Sequence, residues 1–342
     1  MSRLGDIPVS ILDLASIVDG GSPADAFART IALAQEADRL GFHRHWLAEH
    51  HNLDGIASAA TAVLIGHVAE KTTRIRVGSG GIMLPNHAPL MVAEQFGTLE
   101  TLYPGRIDLG LGRAPGTDGV TARALRGANA SLEPDFAELL AELRGYLAPA
   151  REGQKVRAIP GQGLDHIPIW LLGSSGYSAQ LAGQLGLPFA FASHFAPRHV
   201  HDALALYRQV FRPSEVLDRP QAMVAMNVIV ADTDAQADHL ATSIRQRFLR
   251  MVRNQRGQLR PPVPDMDALW SRQEKAMVEA TLSASAFGAA ETVRDQVNAF
   301  LAATGADELI VTTDIHDPEA RLDSLRRFAE LALPERAVAV GG

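Results

Sequence analysis

Residues 74–112 read RIRVGSGGIMLPNHAPLMVAEQFGTLETLYPGRIDLGLG. Two stretches rich in apolar and β-branched residues, 74–83 and 106–112, flank a segment that places Val92, Phe96, Leu99 and Tyr103 on one helical face. Pro104-Gly105 ends that helix and admits the next strand. The stretch is therefore strand, helix, strand, the unit from which parallel sheets are built.

The same unit recurs on both sides. Upstream, a strand over 9–14 precedes Ser22-Pro23, an N-cap followed by proline at the first helical position. The helix it opens carries Ala24, Phe27, Ala28, Ile31 and Ala34 on one face and stops at Gly41. A strand over 43–49 and a small-residue helix over 58–71 follow. Downstream, a helix over 133–147 precedes a strand at 167–172 and a helix starting near Ser175. Further strands fall at 189–193, leading into a helix from Pro197, at 223–231, and at 308–313, with a last helix over 318–331. Eight strand–helix units predict an α/β chain closed as a (β/α)8 TIM barrel, with an open doubly wound sheet as runner-up. We read residues 1–342 as a single domain with two insertions. One, 148–166, precedes strand five and is polar and rich in glycine and proline. The other, 232–288, follows strand seven, and its flanks 235–253 and 267–281 look helical. Long insertions in barrels serve as lids or oligomer contacts. The tail 334–342 is expected to be loosely ordered.

Composition narrows the function. Among 342 residues, 39 are acidic and 32 basic, giving a net charge of −7. That balance opposes binding to nucleic acid or anionic membranes. There is no cysteine, which excludes disulfides, thiolate nucleophiles and cysteine-ligated metals. The N-terminus has no signal-peptide pattern and no run of ~18 apolar residues occurs. A cytoplasmic protein is expected.

In a barrel, chemistry gathers at the C-terminal ends of the strands. Strand two ends in Glu49-His50-His51, strand three in Gly78-Ser79-Gly80-Gly81, strand four in Gly112-Arg113, strand five in Gly173-Ser174-Ser175-Gly176, strand six in Ser193-His194, and strand eight in Thr312-Thr313-Asp314. The Gly-Ser-Ser-Gly turn running into a helix offers N–H groups and the positive end of a helix dipole, the parts of a phosphate site. An ordinary helix start takes this form too, but barrels often use these later loops for phosphate. Arg113 could add a bidentate contact, or form a structural ion pair. The glycines of strand three either let a flat ligand lie on bare backbone or relieve crowding at a bend. His50 and His51 should point to opposite faces, so one can act as acid or base in the pocket, or be an ordinary hydrogen-bonded histidine at a strand end, and the other should turn away. Gly110-Leu111-Gly112 is no dinucleotide fingerprint, because Pro115 stands where the third glycine belongs. HExxH and Gly-x-Ser-x-Gly are both absent, so no metal ligands are assigned despite twelve histidines and Asp314-Ile315-His316-Asp317, and a serine hydrolase is disfavoured. The arginines of 245–260 read as solvated surface.

The stretch LAEHHNLDGIASAA (47–60), then residues 75–118, and PIWLLGSSGYSAQLAGQLGLPFAFASHF (168–195) together resemble the bacterial-luciferase-like flavin-dependent monooxygenases. The resemblance implies a TIM-type barrel using reduced FMN, supplied by a separate flavin reductase, and O2. Oxygen would add at flavin C4a, and the resulting peroxide would oxygenate a small organic substrate. It implies His50 as the catalytic histidine with Glu49 as its orienting partner, and a non-proline cis peptide at Gly80-Gly81. Phosphate contacts fall on Arg113, Gly173, Ser174, Ser175, Gly176 and Ser178, with Tyr177 and His194 close by. The family's luciferases carry an acidic residue where Ser174 stands, so the cradle differs in detail. Asn86, Glu94 and Gln95 become second-rank contacts near the flavin ring. A homodimer through the helices near strands two to four is the implied assembly. Light emission is disfavoured, because the catalytic chain of those luciferases carries a reactive cysteine. Sister families use the deazaflavin F420 for hydride transfer, and some related barrels bind flavin without catalysis. Pocket walls are expected from the 114–130 loop and the 232–288 insertion.

Overall fold

Ser22 and Pro23 behave as their chemistry dictates. Ser22 accepts from the Asp25 N–H while the Asp25 carboxylate accepts from the Ser22 N–H, a capping box that opens α1 (Pro23–Leu40) after β1 (Val9–Asp13). Gly41 ends α1 at φ +90°, a conformation that favours glycine. A computed structural model describes residues 2–127 and 135–333. The chain continues through β2 (Arg44–Leu47), α2 (Thr61–Lys71), β3 (Arg76–Ser79), β4 (Ile82–Met83), α3 (Pro89–Leu102), β5 (Ile107–Gly112), α4 (Gly119–Arg126) and α5 (Phe136–Leu147). Next come β6 (Ile169–Gly173), α6 (Gly176–Leu185), β7 (Phe189–Phe191), α7 (Val200–Val210), β8 (Ala222–Val230), α8 (Asp234–Val252) and α9 (Arg272–Thr281). The last elements are β9 (Ser285–Gly288), α10 (Ala290–Thr304), β10 (Glu308–Thr312) and α11 (Pro318–Ala332).

All strand pairs are parallel, in the order β10-β1-β2-β3-β5-β6-β7-β8, and β10 also pairs with β8. That last pairing closes the barrel and rules out the open sheet. Alternation along each strand sorts the side chains. Leu12, Trp46, Trp170, Ala190, Met223, Ala225 and Ile310 fill the interior, with the two indoles edge to face at 5.6 Å. Their neighbours Ile11, Leu47, Leu171, Val224 and Val311 pack outward in the larger apolar layer shared with the helices.

At the N-terminal end of the strands the interior is charged. Arg44 bonds Asp108 at 2.7 Å and Glu308 at 2.9 Å, Arg76 bonds Asp108 at 2.7 Å, and Ser10 Oγ donates to Glu308 at 2.6 Å. Trp46 Nε1 adds a donor to Asp108 at 3.1 Å. Burial opposes the charge on Arg44, but Asp108 and Glu308 more than restore it.

Several boundaries depart from the sequence reading. The third strand is two pieces, β3 and β4, separated at Gly80-Gly81. The 114–130 loop contains α4, and α5 starts at Phe136; residues 128–134 and the tail 334–342 lie outside the described residues. The helix expected from Ser58 begins at Thr61, and residues 267–271 are not helical. Inside the 232–288 insertion sits an unforeseen strand, β9, whose Ser285–Gly288 pair with Asn227–Val230 of β8. Among the described residues no helix is long and apolar enough to cross a membrane.

Candidate functional site

The loop after β5 organises one side of the barrel mouth. Gly112 ends the strand, and the Arg113 guanidinium lies 4.2 Å from the Tyr177 ring centroid. Tyr177 belongs to the first turn of α6, directly after Gly173-Ser174-Ser175-Gly176. Ser175 is the N-cap of α6 but makes no side-chain cap bond, so the first-turn N–H groups are left for another acceptor. Gly173 is required here, since a Cβ would meet Ser178 Cβ at 2.8 Å. Among the described residues no carboxylate pairs with Arg113. A free guanidinium and uncapped N–H groups thus converge from adjacent strands.

The same loop fixes the other side. His50 Nδ1 lies 3.2 Å from the Gly116 carbonyl and donates to it, which leaves Nε2 as the unprotonated nitrogen of the neutral ring. Burial holds the His50 pKa below the usual imidazole value, against the Gly116 bond that favours the charged form. Asn86 Nδ2 donates to the Pro115 carbonyl at 2.7 Å, while its buried Oδ1 has no partner. His194 Nδ1 is likewise buried and unpartnered, and burial lowers that ring to about 4, against the opposing pull of Asp314. Gly80-Gly81 is a cis peptide, where the resemblance implied one. A Cβ on Gly80 would meet Leu12 Cδ1 at 2.7 Å, and one on Gly81 the Gly110 carbonyl at 2.6 Å.

Glu49 departs from its expected role. Its carboxylate does not bond His50; it accepts from His51 Nε2 at 2.8 Å, His87 Nε2 at 2.9 Å and the Met83 N–H at 3.1 Å. Burial pushes the Glu49 carboxyl up, but these donors win and hold it below its ordinary value. His51, expected to turn away from the pocket, is tied to Glu49. The sequence reading also found no metal-type ligand set, yet donor atoms of Glu49, His51 and His87 all lie within 4.8 Å of one another.

With this geometry in place the chain can be compared with known proteins. The sequence profile described as luciferase-like monooxygenase matches residues 8–308. The chain belongs to that family. A luciferase-like monooxygenase of Escherichia coli (strain K12) is 51% identical over 335 residues, covering 98% of each chain. The crystal structure of apo-MsnO8 superposes with a TM-score of 0.82 at 36% identity, covering 95% of this chain and 97% of that one. The oxygenating constituent of 3,6-diketocamphane monooxygenase from Pseudomonas putida, a type II Baeyer–Villiger enzyme solved with FMN, shares the fold. Its TM-score is 0.72 at 20% identity, covering 96% and 98% of the two chains.

In this luciferase-like barrel the expected residues fall into groups. Arg113, Gly173 to Ser178, Asn86, His50, His194, Gly80 and Gly81 all stand at the C-terminal strand ends. Glu94 and Gln95 lie on α3, in the outer helical layer, and no described contact joins them to the rest. Sequence reasoning missed His87, whose offset of 38 residues from Glu49 carries no local signal. It also misread Arg247. That arginine of α8 pairs with Asp314 and bonds Ser16 Oγ at 2.9 Å, and its charge helps to lower His50. The insertion is thereby strapped to the segments that follow β1 and β10, and Leu259 adds backbone bonds to Ile17 and Asp19 at 2.8 Å each.

Proposed function

We propose that this chain is a monooxygenase that binds reduced FMN and uses O2 to oxygenate a small organic substrate. The observation that carries the reading is the uncapped α6 N-terminus facing Arg113 on its Tyr177 platform, which suits a terminal phosphate. Asn86 Oδ1 and His194 Nδ1 are buried atoms in need of a partner, and a ring bearing polar edges would supply it. When bound, reduced flavin supplies the two electrons by which one atom of O2 enters the substrate and the other leaves as water.

The chain's own residues do the rest. Arg113, Ser174, Ser175, Ser178 and the N–H groups of α6 hold the phosphate. Gly80 and Gly81 keep the strand end free of side chains where a flat ring would lie. His50, neutral and fixed through Nδ1, presents Nε2 as proton acceptor. Glu49 acts on the loops around it rather than on His50. The strap built on Arg247 and Leu259 keeps bulk water from the mouth. A separate reductase would provide the reduced flavin, and we assign the protein to the cytoplasm. Val63 of α2 and Met91 and Leu102 of α3 are exposed apolar residues on one flank, and we assign a homodimer to that face; light scattering gives its mass directly.

The decisive experiment supplies reduced FMN, 18O2 and candidate substrates and follows one labelled atom into product. His50→Ala should abolish that transfer while oxidised FMN still binds; unchanged turnover would remove His50 from the mechanism. Parallel titrations with FMN and F420 test the cofactor, and tighter F420 binding would overturn the reading. The acidic tail of F420 calls for more unpaired cations at the mouth than Arg113, since Arg247 is held by Asp314.

A further inference from the structure

We propose that Glu49, His51 and His87 form a binding site for one divalent transition-metal ion of the Zn2+ class. Two imidazole Nε2 atoms and one carboxylate oxygen would hold the ion, with water completing a tetrahedron. The donor set is the first argument: two nitrogens and one oxygen suit Zn2+, Co2+ or Ni2+, whereas Mg2+ and Ca2+ want more oxygens. Spacing is the second. Glu49 Oε1 lies 2.8 Å from His51 Nε2 and 2.9 Å from His87 Nε2. With metal–ligand bonds of about 2.0–2.2 Å, neighbouring donors of a tetrahedral ion stand roughly 3.3 Å apart. The two carboxylate–imidazole distances therefore have to open by about half an ångström, and the two Nε2 atoms, within 4.8 Å of each other, have to settle at the same spacing, as each imidazole passes its Nε2 proton to Nδ1 or to solvent.

Support and access complete the case. Glu49 is 1% exposed and the Met83 N–H holds Oε2, while Oε1 faces both rings and His87 Nε2 spans the two oxygens at 2.9 and 3.0 Å. The only ion pairs described for Glu49 are with these two histidines, so no arginine or lysine competes with a cation. The His51 and His87 side chains are 13% and 25% exposed, enough for an ion to arrive from solvent. His51 follows β2 and His87 precedes α3, so the ion would clamp two loops that flank His50 without using His50 itself.

The test starts from chelator-treated protein titrated with Co2+. One equivalent per chain should give the visible absorption of a tetrahedral Co2+ centre, and Zn2+ should bleach it. His51→Ala and His87→Ala should each weaken binding at least about tenfold, whereas His50→Ala should leave it within about twofold. Absence of the absorption, or wild-type affinity in His87→Ala, would overturn the site. Because a variant could misfold, wild-type crystals soaked in Zn2+ give an independent reading: an anomalous peak among the three side chains supports the proposal, and a peak only elsewhere refutes it.

Discussion

The two ends of the barrel are built from similar residue types and treat their polar atoms in opposite ways. At the N-terminal end, Arg44, Arg76, Asp108, Glu308 and Ser10 form a closed network in which both carboxylates hold several donors. At the C-terminal end, Asn86 Oδ1, His194 Nδ1 and Thr313 Oγ1 are buried with no partner. A buried polar atom without a partner costs about 1–3 kcal/mol, so a fold keeps such atoms where something else will pair them. The saturated end holds the barrel together; the unsaturated end is the one that can receive a ligand.

Breaking the saturated end should have the largest effect. Asp108→Ala strips Arg44 and Arg76 of their shared carboxylate inside the barrel. Removing one partner from a buried ion pair costs about 3–5 kcal/mol, so urea unfolding should show a loss of that order. The flavin affinity of the protein that remains folded should hardly change. A drop in flavin binding equal to that of a mouth variant would erase the proposed division between the ends.

His45 sharpens the comparison, because it too is unsaturated yet lies in neither end. It is fully buried on β2, neither ring nitrogen has a hydrogen-bond partner, and Asp13 stands 3.9 Å away. Burial first, with Arg321 adding to it and Asp13 opposing, lowers its pKa to about 4. Between pH 6.5 and 4 the unfolded chain therefore binds the proton that the folded chain refuses. Stability present above pH 6.5 is lost as pH falls, by up to about 3 kcal/mol. His45→Gln should remove that share of the acid sensitivity, read as the difference between the two pH–stability curves. Equal curves would show that His45 titrates normally.

How much of this was legible in the sequence follows from the range of each interaction. The barrel was readable because its signals are local: the Ser22-Pro23 cap, the Gly41 stop, the Pro104-Gly105 break and the strand–helix period. Strand β9 was not, since SAFG is too short and too small to announce itself and owes its form to β8. The mouth was readable as a set of strand ends, because Arg113, Gly173, His50 and His194 each lie at or just after the end of a strand that the local pattern announces. Their pairings were not. Glu49 chose His87 across 38 residues, and Arg247 chose Asp314 across 67. Nothing local in either segment encodes such distances.

At the mouth, Arg113→Ala removes a cation that no described carboxylate shares, so the fold should keep its stability while FMN binding suffers. A charged hydrogen bond is worth about 1.5–3 kcal/mol, or roughly ten- to hundredfold in Kd. Riboflavin, which lacks the phosphate, should bind the variant as well as it binds the wild type. A parallel loss for riboflavin would mean that Arg113 supports the ring site rather than the phosphate.

The smallest effects test the comparison most directly, because they change one hydroxyl at each end. Ser10 Oγ donates to Glu308 at 2.6 Å, so Ser10→Ala takes a donor from a buried carboxylate that keeps only Arg44. Thr313 Oγ1 has no partner, and Thr313→Val replaces it with a methyl of nearly the same shape. The first should cost about 1 kcal/mol, and the second should be neutral or slightly stabilising in the absence of ligand. Thermal melts of both variants with and without FMN separate the ends. Without FMN the Ser10 variant should melt lower, and the Thr313 variant should not. If Thr313→Val then gains less from added FMN than the wild type does, its hydroxyl was being kept for the ligand. An equal gain would assign it to no contact.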